Sequence, residues 1–182
     1  MQRLFSKTFI LTVFTASLIL VPWVRSARAD DAGPGGPPYP NDAGEAQVDV
    51  SQYPSEIQAD YKIFARRCTQ CHSLSRPINS QFLQLTSDEQ KTAHEKEPDL
   101  FTDNKIWQIS DSVWTDYVKK MQSKPGAIIR ASEFDKIVAF LVYDSKTRKT
   151  GAAKNTWPVT RQKLLDDFKK SNPKRYAEIF GK

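Results

Sequence analysis

Residues 55–72 read Ser-Glu-Ile-Gln-Ala-Asp-Tyr-Lys-Ile-Phe-Ala-Arg-Arg-Cys-Thr-Gln-Cys-His. Pro54 precedes them and Ser55 is the expected helix cap. Ile57, Tyr61, Phe64 and Ala65 then recur at helical spacing, which predicts a helix over 56–67 with one apolar face. That helix runs directly into Cys68, Cys71 and His72. The whole chain of 182 residues has only two cysteines and two histidines, so most of its soft and basic ligands fall within five positions.

The spacing Cys68-Thr69-Gln70-Cys71-His72 has a chemical reason. Two thiols separated by two residues at a helix end can add to both vinyl groups of one haem. The next residue is then placed to put an imidazole nitrogen on the iron. The pattern therefore reads as attachment of one covalently bound haem c, a cofactor that brings redox chemistry for the protein to tune. Three other chemistries compete. A thioredoxin-like pair belongs in a βαβ setting, which this sequence lacks. A structural zinc needs four ligands, and Cys68, Cys71, His72 and His94 are the only Cys and His available. A plain disulfide suits an exported chain with two cysteines.

A second axial ligand is expected at Met121. It is the only methionine besides Met1, and it lies 49 residues beyond His72, just before Lys124-Pro125-Gly126. A lone methionine on an apolar helix face is often only core. His94, in the charged stretch Thr-Ala-His-Glu-Lys-Glu-Pro, is the alternative ligand, and an open coordination position is the third possibility. The choice has a consequence, because His/Met ligation raises the reduction potential.

Outward from this centre, the N-terminus reads as a targeting segment. Arg3 and Lys7 precede an apolar run from Phe9 to Val24, and Ser26-Ala27-Arg28-Ala29 supplies small residues before Asp30. That order predicts a signal peptide over 1–29, cleaved after Ala29, and hence a periplasmic or otherwise exported protein. The run is interrupted by Pro22 and falls short of the about 20 residues of a spanning helix, so no permanent membrane anchor is expected. Four of the 27 basic residues and none of the 21 acidic ones lie in this segment. The remainder then carries a net charge of +2 instead of +6, which removes the case for nucleic-acid binding. Residues 146–182 hold 11 basic and three acidic residues, and 30–145 hold 12 and 18. An acidic body is followed by a basic tail.

Residues 30–52, rich in Gly and Pro at the start, read as a flexible leader. Residues 73–105 are polar and predict loop and short helix. Asp111–Gln122 predicts a helix with Trp114, Val118 and Met121 on one face. Ser132 is the expected cap of a further helix, with Asp135 as its capping-box partner and Phe134, Ile137, Val138, Phe140 and Leu141 as its stripe. Trp157-Pro158 reads as a break before a short amphipathic helix at 160–170. No strand signal of useful length occurs, so the fold class is all-α.

From Ser55 to Tyr143 the sequence resembles a class I cytochrome c domain. The resemblance rests on Phe64 in the first helix, Cys68, Cys71 and His72, then Met121, Pro125-Gly126, and a last helix with Ile137, Phe140 and Leu141. It implies a small all-α cytochrome c fold of about three to five helices around one haem, here over 53–145, with 146–182 as a basic C-terminal extension. It also implies a proline whose carbonyl holds the proximal histidine ring, a role Pro77 can fill. Trp107, Trp114 and Tyr117 become candidates for lining the haem or reaching a propionate, with ordinary core as the competing role.

The expected function is single-electron transfer with transient redox protein partners. No catalytic residue is assigned. The acidic body predicts a partner with a basic docking face, and the tail is either a contact or a solvated extension. The alternatives are a haem-bearing subunit of a larger respiratory or dehydrogenase complex, and a haem enzyme or gas sensor with an open site.

Overall fold

The computed structural model describes residues 36–96 and 109–181. The expected signal peptide and Trp107 lie outside them. Among the described residues the regular structure is helical throughout and the fold is all-α. A 3₁₀ turn at Pro40–Ala43 comes first, followed by α1 (Ser55–Cys68), α2 (Ser75–Ile78), α3 (Ser87–Lys96), α4 (Asp111–Gln122) and α5 (Ala131–Lys149). A second 3₁₀ turn, Gly151–Asn155, leads to α6 (Thr156–Ser171) and α7 (Pro173–Phe180). No described helix is long and apolar enough to cross a membrane.

α5 is the central element: α1 and α4 both pack along it. The apolar stripe expected from its sequence is buried, with Ile137 and Phe140 fully enclosed. Phe64 of α1 meets Phe140 with ring centroids 4.7 Å apart, and Tyr61 approaches the same ring at 5.1 Å. On the other flank, Trp114 and Val118 of α4 are buried, and the Trp114 ring lies 4.4 Å from Phe82. Phe82 and Ile78 come from the stretch that read as polar loop. Ile78 ends the one-turn helix α2 and Phe82 follows in irregular backbone, so neither belongs to a stretch long enough to show periodicity.

Polar ties fix the α1–α5 crossing. Glu133 accepts two hydrogen bonds from Arg67, at 2.7 and 2.8 Å, and one from Arg66 at 3.0 Å. Its Oε2 also accepts the Arg130 backbone N–H at 3.2 Å. α5 accordingly starts at Ala131 with Arg130 as its cap, two residues before the cap expected at Ser132, because Glu133 satisfies the helix start in place of Asp135. Two further differences concern the chain after α4. α5 continues to Lys149, through the boundary drawn at 145. Pro158 stands in the first turn of α6 and does not break it. A proline is tolerated there because its missing N–H has no intrahelical partner in any case.

The leader and the tail are both built into the molecule. Asp42 holds Arg76 through an ion pair of 2.6 Å and a second bond of 2.8 Å. Asn79 donates to the Glu45 carbonyl at 2.9 Å, and Gly44 lies so close that a Cβ there would stand 2.4 Å from the Asn79 side chain. The first 3₁₀ turn packs on α6, and Trp157, Leu164, Leu165 and Phe168 of α6 are buried. The tail's charge therefore does not keep it in solvent: an amphipathic helix with four large apolar residues on one face has more to gain from packing.

Candidate functional site

Cys68 is the last residue of α1, and its position follows from how that helix ends. The Thr69 N–H and hydroxyl both bond the Ala65 carbonyl, at 3.3 and 2.7 Å, closing the last turn. Arg66 and Arg67 place positive charge where the helix dipole favours it. The chain then turns through Cys71 and His72 into α2. On the facing element, α4 starts at Ser110, whose side chain accepts the Val113 N–H at 3.3 Å. It ends just past Met121, where Gly126 adopts φ +79°, a left-handed conformation that favours glycine. Gln122 ties the return strand of chain by donating to the Ile129 carbonyl at 2.9 Å.

These two ends share a cavity. Cys68, His72 and Met121 all line one small chamber together with Arg76, Pro77, Trp114, Tyr117, Val118, Ile129 and Leu141. A larger cleft of about 470 Å³ adjoins it, and Cys71, His72, Arg76, Tyr117 and Met121 line that one too. The volume falls within the roughly 300–1,000 Å³ of small-molecule and cofactor sites. Residues 49 apart in sequence are thus brought to one wall by the packing of α1 and α4 on α5.

The imidazole is held in a defined state. His72 Nδ1 lies 2.8 Å from the Ser73 carbonyl oxygen. A carbonyl can only accept, so Nδ1 carries the hydrogen and Nε2 keeps its lone pair. Burial is the main cause that pulls the His72 pKa below its usual value, which favours the neutral ring. Both features suit a metal ligand. Cys68 differs from a redox-active cysteine, whose thiol is made more acidic by its surroundings. Burial, with a smaller effect from Cys71, pushes the Cys68 thiol up to about 12, and neither cysteine is in a disulfide.

The other expected residues distribute unevenly. Pro77 lines the chamber, but its carbonyl accepts the Ser80 N–H at 3.1 Å, and the oxygen at the His72 ring belongs to Ser73. Trp114 is fully enclosed beside Phe82 and Tyr117, and its Nε1–H meets no acceptor among the described residues. Tyr117 lines both spaces. His94 is exposed on α3 and lines neither. Among the described residues no three His, Cys, Asp or Glu side chains come together in the manner of a metal cage, so the four-ligand zinc set has no counterpart here.

Four residues of the site were not legible beforehand. Arg76 lines both spaces while paired to Asp42 and stacked 5.0 Å from the Tyr39 ring. Tyr39 itself, from the supposed leader, sits at the mouth with Arg175 of α7 on it at 5.2 Å. Lys120 and Lys124 complete the rim. Only Arg76 had a sequence cue, its place four residues after His72. The rim is basic although the body as a whole is acidic, so the net charge of residues 30–145 misleads about this edge.

No family model, curated protein or solved structure matches the chain.

Proposed function

We propose that the chain is an exported c-type cytochrome of class I architecture, a carrier of single electrons with one covalent haem. The observation that carries this is that Met121, at the end of α4, shares a chamber wall with Cys68, the last residue of α1, and with His72 four residues on, beside the larger cleft that Cys71, His72 and Met121 line. A haem bound there supplies a one-electron couple whose potential depends on its axial ligands and burial. The residues present fit such a group. Cys68 and Cys71 are the thiols available for thioether bonds, His72 Nε2 offers a lone pair, and Met121 lines both spaces that His72 lines. Trp114, Val118, Ile129 and Leu141 exclude water. The unpartnered Trp114 Nε1–H is a donor for a carboxylate edge, and a buried donor without an acceptor costs about 1–3 kcal/mol.

His72 and Met121 would be the residues that hold the iron of such a group, and a site supplied by the chain on both sides would need little reorganisation when an electron moves. Transfer then proceeds through the edge near Cys71, where Tyr39, Lys120 and Lys124 form the rim. This revises the expected partner: a redox protein presenting acidic groups at its docking face suits this rim better than a basic one, in a transient contact steered by charge.

The test is export in a host with c-type maturation. The expected product keeps haem on the chain after denaturation and shows a six-coordinate, low-spin spectrum. Cys68→Ser and Cys71→Ser should each lose one thioether bond, which shifts the haemochrome absorption. A chain that is exported intact without covalent haem would sink the proposal.

A further inference from the structure

A second cavity lies elsewhere. A space of about 550 Å³ lies between residues 81–85, α3 and the first half of α6, away from the cysteines. Leu83, Leu85, Pro158 and Leu165 give it aliphatic walls. Two polar groups on its α6 wall are sparsely partnered among the described residues, the half-buried Arg161 and the buried Trp157. Arg161 carries a guanidinium with five N–H donors. Its described hydrogen bond is from Nη1 to Asn41 Oδ1, a neutral amide, and no carboxylate pairs with it among the described residues. Trp157 is 5% exposed and its Nε1–H has no acceptor among the described residues.

Buried charges are ordinarily paired and buried donors ordinarily bonded, because leaving either unmatched costs free energy. Two carboxylates line the opposite, α3 wall, away from α6. Glu89, on the α3 wall, accepts from Lys154 at 2.7 Å, and Asp88 beside it is exposed. Lys149 and Arg148 stack on the Trp157 ring at 4.7 and 5.8 Å, with Arg148 also paired to Asp144, so Arg161 is the cation of this wall without a carboxylate partner among the described residues. Arg161 stays a cation at neutral pH even though burial lowers its pKa to about 10.

We propose that this cavity is a second ligand site, separate from the cysteine cleft, that takes a small amphipathic carboxylate. The anionic group pairs with Arg161, and the aliphatic body packs between Leu83, Leu85 and Leu165. This rests on nothing in the cytochrome proposal and survives its failure.

The probe is octanoate, with octanamide as its uncharged twin, titrated calorimetrically into the full mature protein as purified. Octanoate should bind wild type at least about tenfold more tightly than octanamide, as expected for a desolvated charge pair. Arg161→Gln should remove that preference and leave octanamide binding unchanged, while Arg161→Lys keeps part of it. Leu165→Trp, which fills the space, should abolish binding with helicity intact and so locate the ligand here and not beside Cys71. Absence of octanoate binding to wild type overturns the proposal, as does equal affinity for acid and amide. Binding that persists in Leu165→Trp overturns it too. The acid–amide comparison in wild type decides even where Arg161→Gln fails to fold.

Discussion

Individual residues differ in how much of their chemistry is local. Cys68, Cys71 and His72 were legible because their meaning depends on spacing along five positions of chain. Met121 was legible by scarcity, as the only methionine outside the leading segment. Trp114 could be placed on a face but not given a role, since its unpartnered Nε1 appears only when the walls around it are known. Tyr39 was invisible and Arg76 had only its nearness to His72 to mark it, because their pairing with each other, and of Arg76 with Asp42, spans more than thirty positions. At this scale the sharpest expectation concerns Met121. In the haem-loaded protein Met121→Ala should abolish the long-wavelength band of sulfur-to-ferric-iron bonding. It should also lower the potential by on the order of 0.1 V, part of the about 0.8 V that axial ligation spans. His94→Ala, on the exposed face of α3, should change neither spectrum nor potential. A band unaffected by Met121→Ala would remove Met121 from the iron.

Among the elements, α4 matched its expected span of Asp111–Gln122 because its signals are strong and local: Ser110 as cap, an apolar face at helical spacing, and a Lys-Pro-Gly stop. The α5 start and the α6 start were displaced by interactions from outside each helix, Glu133 answering to α1 and Trp157 answering to Lys149. The α1–α5 crossing carries two expectations. Phe140→Ala removes a fully enclosed ring packed on Phe64 and Tyr61, and should cost about 3–5 kcal/mol. Urea denaturation would read this as a lower midpoint with an unchanged slope. The second concerns acid. Hydrogen bonds from Arg67, the largest cause, with help from the Arg130 N–H and Arg66, hold the Glu133 carboxyl at about 2, against a usual 4.5. A folded-state pKa below the unfolded one stabilises at higher pH, and the gain is lost as pH falls through the folded value. The stability advantage of wild type over Glu133→Gln should therefore be constant above about pH 4.5 and shrink steadily toward pH 2. An advantage that holds its size down to pH 2 would show that the Glu133 contribution is not ionic.

At the scale of the whole molecule, composition was a poor guide to what packs. A Gly/Pro-rich leader and a basic tail both read as appendages, yet each contains the partner that the other needs. Tyr39 lies against Arg175, Pro38 accepts from Arg175 at 3.4 Å, and Asn41 accepts from Arg161. The tail also caps the body. Lys149 is almost wholly buried, donating to Ser80 O and Oγ at 2.9 and 2.8 Å beneath the Trp157 ring. Burial, reinforced by Arg148, holds its amine well below the usual lysine value. Pairings between residues more than a hundred positions apart leave no periodic trace, which is why they could not be anticipated. They do have a measurable consequence. Ending the chain at Thr150 removes α6 and α7, uncovers Lys149, and releases Tyr39 and Asn41 at the mouth of the cysteine cleft. The truncated protein should lose at least about 2 kcal/mol, the worth of one well-buried apolar side chain. Its urea slope should also fall, because less surface is exposed when it unfolds. A detached extension would behave differently: its removal would leave midpoint and slope as they were, and equality of the two curves would separate the tail from the fold.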